Sequence, residues 1–282
     1  MKVLIDCKNC TLDDIIFASS IAKKLVEETP DILVDLYVPS VQPSILLTMN
    51  PYIHDIFTDY TFNPNEYSRI VQLPRVDQSE PATMQFQRAA GVNVPSVEYK
   101  VYTVDVYDEE AERMLEHPRS LGKPVVAWSS NWRTSSYAMS EAQYNAPDRE
   151  KTLLIPHRNI EGIIQHLNDY VTLVRVEEDG TDNPYTYAMA ASIIKLCDFV
   201  VGPEGGITNL GAGVGTRCIV TTDNIWRHYG PKGTMRQLEV PAMGPCVYFP
   251  KSMHSHLSPF LTDVEVREVV IDIITDAPSV WG

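Results

Sequence analysis

The stretch Phe199-Val-Val-Gly-Pro-Glu-Gly-Gly-Ile-Thr-Asn-Leu-Gly-Ala-Gly-Val-Gly215 decides the fold. Phe199, Val200 and Val201 are apolar without alternation, the mark of a strand buried on both faces. Six of the chain's 14 glycines follow, between Gly202 and Gly215, and a helical pattern runs from Ile207 to Val214. Glycines at a strand-to-helix turn let the backbone approach a ligand closely. The helix start then offers N–H groups and a partial positive charge to a phosphate. In an open parallel sheet, ligands bind at this carboxyl end of the strands. A glycine-rich turn with close helix packing accounts for the same composition, and glycine content alone does not separate the two.

Strands and helices alternate on both sides of this stretch. Upstream, Pro124–Trp128, Tyr170–Val176 and Asp198–Val201 read as strands, with helices at Arg158–Leu167 and Tyr185–Leu196. Thr152–Ile155 is a further candidate strand. Downstream come a strand at Arg217–Thr221 and an amphipathic helix at Val264–Ile274. The first part of the chain has the same rhythm. Val3–Ile5, Ile32–Val38, Ile53–Phe57 and Arg69–Leu73 read as strands. Helices are expected at Leu12–Glu28, Pro43–Met49 and Gln78–Ala90. Val101–Val106 alternates like a strand, and Asp108–Glu116 reads as an acidic helix. His117-Pro118 through Lys123-Pro124 is a break. The expected architecture is therefore α/β, with two Rossmann-like domains of mainly parallel sheet facing a cleft. The division falls at 1–118 and 119–282, with the last helix available to pack back on the N-terminal domain.

Composition bounds the function. The 282 residues hold 37 Asp and Glu against 23 Lys and Arg, a formal net charge of -14. Such a field repels duplex DNA and anionic membranes, so nucleic acid is not a favoured partner. No run approaches the ~18 consecutive apolar residues of a membrane span. Asp6 breaks the first apolar run, which argues against a signal peptide and for a cytoplasmic protein. Five scattered cysteines fit reduced thiols. Cys7-Lys-Asn-Cys10, between a strand and a helix, has the spacing of a thioredoxin-like redox site. The pattern beyond that helix does not continue as such a domain.

The segment Ala190 to Thr216 resembles the heptosyltransferase-like glycosyltransferases of family 9. Their pattern is a helix, a strand ending in Gly-Pro-Asp-Ser-Gly, a helix starting near a His, then a strand and a Gly-Pro turn. Tyr229-Gly-Pro-Lys-Gly233 looks like that turn. The first strand and helix, Pro30-Asp31 before strand two and Asn50-Pro51-Tyr52 before strand three also match. The resemblance implies a GT-B fold, with donor nucleotide-sugar on the C-terminal domain and a hydroxyl-bearing acceptor on the N-terminal one. It implies no cofactor and no metal. The chain departs from the family in three places. Glu204 stands for the motif's Asp, Asn209 for its His, and Asp13-Asp14 for its Gly-Asp. The chain is also short for the family.

Roles follow from the resemblance and from residue chemistry. Asp14 matches the acidic residue that serves as general base, although Thr11-Leu-Asp-Asp14 is equally a capping box. Asp13 is a second carboxylate there, suited to the helix dipole. Glu204, Gly205, Gly206, Ile207 and Thr208 form the expected diphosphate cradle, with Glu204 and Asn209 suited to sugar or ribose hydroxyls. Ser129, Ser130 and Asn131 follow a strand and could donate to phosphate oxygens. Arg133 could neutralise the leaving diphosphate. Trp132 reads as core more than as a stacking platform. His157, Arg158 and Lys232 are further candidates for the cleft. His254 and His256 have no nearby third ligand, so no metal site is expected. Two other readings stay open: a non-catalytic nucleotide- or sugar-binding protein of the same fold, and a glycosyltransferase acting on a DNA base.

Overall fold

The computed structural model describes residues 1–39, 41–76, 80–129, 162–176, 186–203, 205–222 and 246–250. Two parallel sheets organise them. In the first, β1 (Lys2–Asp6), β2 (Leu33–Tyr37), β3 (Asp55–Phe57) and β4 (Arg69–Gln72) lie in the order β3-β2-β1-β4. In the second, β5 (Val125–Trp128), β6 (Thr172–Arg175), β7 (Phe199–Pro203), β8 (Arg217–Thr222) and β9 (Cys246–Pro250) lie in the order β6-β5-β7-β8-β9. Every neighbouring pair is parallel. The strand order reverses between β1 and β4 in one sheet and between β5 and β7 in the other. These switch points open a crevice at the carboxyl ends of the strands. β9 is a strand that the sequence pattern did not single out.

The apolar runs behave as strands buried on both faces should. Val3, Leu4 and Ile5 of β1, Val126 and Ala127 of β5 and Val200 and Val201 of β7 are all fully buried. Helix α1 (Leu12–Glu28) follows β1 and is started by a capping box between Thr11 and Asp14. Its expected face of Ile15, Ala18, Ala22 and Leu25 is buried, but so are Phe17, Ser19 and Ser20. A helix whose first turns are buried beyond one face has neighbours on more than one face. Here one further neighbour is Tyr99, which meets Phe17 edge to face at 5.2 Å.

Helices α2 (Val41–Leu47) and α3 (Ala82–Ala89) complete the first half. Helix α4 is Asp105–Ser120, and a short helix α5 spans 162–167. Helices α6 (Tyr187–Lys195) and α7 (Gly206–Val214) flank β7. A single apolar core runs through both halves, from Val3, Val34 and Leu36 to Ala127, Val200 and Leu210. A second cluster, Val126, Phe199 and Val201 with Ile163 and Leu167 of α5, covers the other face of the second sheet.

Two local expectations are corrected. No strand forms at Val101–Val106, and residues 98–104 are irregular. Burial alternates instead just upstream, with Tyr99 and Val101 buried and Glu98 and Lys100 exposed, while Val104 is half-buried and Val106 exposed. This alternation packs an extended segment on a helix end, where Val101 N–H donates to Gly213 O at 2.9 Å. The break expected at His117-Pro118 lies inside α4, which continues to Ser120 with Pro118 in its last turn. Near the C-terminus of a helix the lost amide of Pro118 removes one bond without ending the element. Helix α4 is tied to the second half. Lys195 Nζ lies 2.7 Å from Asp108, and Arg119 donates to Leu196 O at 2.7 Å.

Candidate active site

The glycines of the decisive stretch divide into two kinds. A Cβ on Gly211 would lie 2.5 Å from Val200 Cγ1 and 3.0 Å from Cys218 Sγ. One on Gly213 would lie 2.5 Å from Val101 Cγ2. These two are packing glycines that bring α7 onto the sheet and onto the 98–104 segment. Gly215 ends α7 in the left-handed region at φ 90°, the usual C-terminal use of glycine. Gly202 sits at the switch point, where a Cβ would lie 3.2 Å from Ser129 O. That leaves Gly205 and Gly206 at the helix start. Thr208 Oγ1 donates to Gly205 O at 3.0 Å and accepts from Gly205 N–H at 3.2 Å, so the hydroxyl closes the turn. The first amides of an α-helix have no partner within the helix. Those of Gly206 and Ile207 lie at the carboxyl end of β7, and the Ile207 side chain is buried in the core.

Helix α1 faces this start from the first half. Asn209 Nδ2 donates to Asp13 Oδ1 at 3.0 Å across 196 residues of sequence. Both residues are buried, at 2% and 3% exposure. Tyr99 Oη donates to the Asn209 carbonyl oxygens of backbone and side chain, at 3.3 and 3.4 Å. Asp14, one residue on, turns back to its own helix. Its Oδ2 accepts from Thr11 Oγ1 at 3.0 Å and Thr11 N–H at 3.3 Å. The two adjacent carboxylates therefore differ in direction: Asp13 reaches the glycine-rich helix and Asp14 caps α1.

Ser129 is wholly buried, its N–H on Val201 O at 3.0 Å, and it locks β5 to β7 at the switch point. Ser130, Asn131, Arg133, His157, Arg158, Glu204 and Lys232 lie outside the described residues. So do Trp132, His254, His256, the candidate strand Thr152–Ile155 and the helix expected at Val264–Ile274. Among the described residues no group of three or more His, Cys, Asp and Glu could hold a metal. No described helix is long and apolar enough to cross a membrane.

Three features were absent from the sequence reading. Tyr99 braces Asn209, and its signal was the buried alternation of residues 98–101. At the carboxyl edge of the first sheet, Tyr60 stacks on Tyr37 at 4.4 Å and on Phe62 at 5.6 Å, yet is 59% exposed. Lys8, from the β1–α1 loop, lies over the Tyr60 ring at 5.3 Å. A hydrogen bond to Tyr60 raises its ammonium above the usual lysine range. Third, a cavity of about 240 Å³ lies further along the seam, between Lys23 and Lys24 of α1, Tyr52, Tyr102 and the Gly213 end of α7. None of the expected site residues lines it.

No protein-family profile and no curated protein sequence matches the chain. Solved structures do. A glycosyltransferase family 9 protein of Veillonella parvula is 10% identical, with a TM-score of 0.63 over 98% of this chain and 97% of that one. The ADP-heptose LPS heptosyltransferase II of E. coli is 11% identical, with a TM-score of 0.61 over 98% of this chain and all of that one. The fold is that of the family 9 glycosyltransferases. A third structure with this fold is the dodecameric iron-containing heptosyltransferase TibC in complex with ADP-D-β-D-heptose. It is 10% identical, with a TM-score of 0.59 over 98% of this chain and 76% of that one. Within the glycosyltransferase fold, the glycine-rich start of α7 and the acidic start of α1 meet at the seam of the two halves.

Proposed function

We propose that this chain is a glycosyltransferase that moves a sugar from a nucleotide-diphosphate sugar to an acceptor hydroxyl. The observation that carries the reading is the Asp13–Asn209 contact, a carboxylate of one half set against the glycine-rich helix of the other. TibC's complex with ADP-D-β-D-heptose supports a donor of that class. The amides of Gly206 and Ile207 would hold the diphosphate, with Arg133 beside it. Asp13 would take the proton of the acceptor hydroxyl as its oxygen attacks the anomeric carbon. The sugar–diphosphate bond breaks, and the negative charge grows where fixed donors already point. This assigns the base to Asp13 rather than Asp14, because Asp14 is committed to its cap. An entering acceptor must first part Asp13 from Asn209. Tyr60, exposed beside Lys8, is suited to stack against an acceptor ring. No resident metal is required, since amides and arginine meet the leaving charge.

A thermal-shift panel of nucleoside diphosphates and their sugars tests the donor site. A ligand at about 100 times its Kd adds about 2.7 kcal/mol to stability, so one member should raise the midpoint. No response to any member would sink the donor assignment. Release of nucleoside diphosphate from that donor, unchanged by EDTA, tests the metal-free chemistry. The burial of Asp13 against Asn209 favours a second reading, a nucleotide- or sugar-binding protein without transfer. Binding with no sugar released to water or to any acceptor decides for it. A DNA base as acceptor fits poorly with a net charge of -14.

A further inference from the structure

The Cys7-Lys-Asn-Cys10 loop carries chemistry that glycosyl transfer leaves unused. Cys7 sits at the end of β1, wholly buried, its N–H on Tyr37 O at 2.9 Å. Cys10 is half-buried and stands next to Thr11, the N-cap of α1. The loop between them is a tight turn, with Cys10 N–H on Cys7 O at 3.1 Å. Both thiols are free. We propose that Cys7 and Cys10 are a redox modification site, oxidised to an intramolecular disulfide by a low-molecular-weight disulfide of the glutathione type.

The two thiols have distinct tasks. Cys10 is the more accessible one, half-buried where Cys7 is wholly buried, so an external disulfide reaches it first. Cys7 is held protonated by the neighbouring Cys10 thiol, by burial and by the nearby charges of Asp6 and Asp14. The Cys10 thiolate attacks one sulfur of the external disulfide, and one thiolate leaves. The Cys7 thiol gives up its proton and attacks Cys10 Sγ, and the second thiolate leaves. Two protein thiols lose two electrons and two protons, and the external disulfide becomes two thiols. The buried thiols of the second half do not compete. Burial pushes Cys197 up to about 12, and Cys218 is 1% exposed.

The chemistry is independent of the glycosyl-transfer reading. The whole chain is held in mixtures of reduced and oxidised glutathione, quenched in acid, weighed and mapped by peptide. The expected product is lighter by about 2 Da, two hydrogens, with the loss on a peptide joining Cys7 to Cys10. Cys7→Ser should stop at a glutathione adduct on Cys10, and Cys10→Ser should lose the rapid reaction. Wild-type protein that keeps both thiols, ends as a stable Cys10 adduct or forms its disulfide elsewhere would overturn the proposal. So would a Cys10→Ser variant that reacts as fast as wild type.

Discussion

Helices α1 and α7 begin in equivalent places, each at the carboxyl end of a strand bordering a switch point, and they begin in opposite ways. The start of α1 is filled by its own side chains, with Thr11 and Asp14 in a capping box and Asp13 beside them. The start of α7 has no carboxylate in its first turn and no side-chain cap at Gly205. Thr208 closes the turn. One helix end is filled by its own carboxylates and the other carries none in its first turn. A general base and a diphosphate cradle need that separation, because a carboxylate among phosphates would repel them. The seam joins the two without mixing them.

The sharpest way to break this comparison is to neutralise Asp13. Asp13→Asn keeps the shape of the seam but removes the base. Transfer should fall by about 10²–10⁴-fold while the nucleotide-induced thermal shift persists. An equal loss in both assays would mean that Asp13 only holds the halves together. The packing glycines come next. Gly211→Ala should cost about 1–3 kcal/mol in urea unfolding by overpacking against Val200, despite a helix-propensity gain of about 1 kcal/mol. Unchanged stability would show that α7 can lift from the sheet.

Thr208→Val removes the hydroxyl that closes the α7 start. It should cost about 1–2 kcal/mol and weaken nucleotide binding, since Gly205 loses both bonds. If binding is untouched, the cradle is not at this turn. The smallest effect is expected at the filled end. Thr11→Ala should cost about 1 kcal/mol of stability as a lost cap and slow transfer less than 10-fold. A rate loss as large as that of Asp13→Asn would return the base to the Thr11–Asp14 box.

Much of the fold was legible because parallel strands buried on both faces leave apolar runs such as Val3–Ile5 and Phe199–Val201. The capping box at Thr11 was legible for a similar reason, being local in sequence. Val101–Val106 misled because its sequence alternates like a strand, while Asp105 and Val106 already belong to α4. Pro118 misled because its position within a helix turn, not its presence, decides whether it breaks the helix. The pairing of Asp13 with Asn209 could not be read, since 196 residues separate the partners.

By itself the sequence determined two parallel α/β halves, the glycine-rich turn after Phe199–Val201 and the acidic start of α1. Periodicity, composition and capping act over a few residues, so they survive in a linear reading. Tertiary structure decided which glycines pack, because the answer lies in the distance from an absent Cβ to Val200 or Val101. It also decided which of two adjacent carboxylates crosses the seam. Neighbouring positions on a helix point about 100° apart, and only the packing of α1 against α7 selects Asp13.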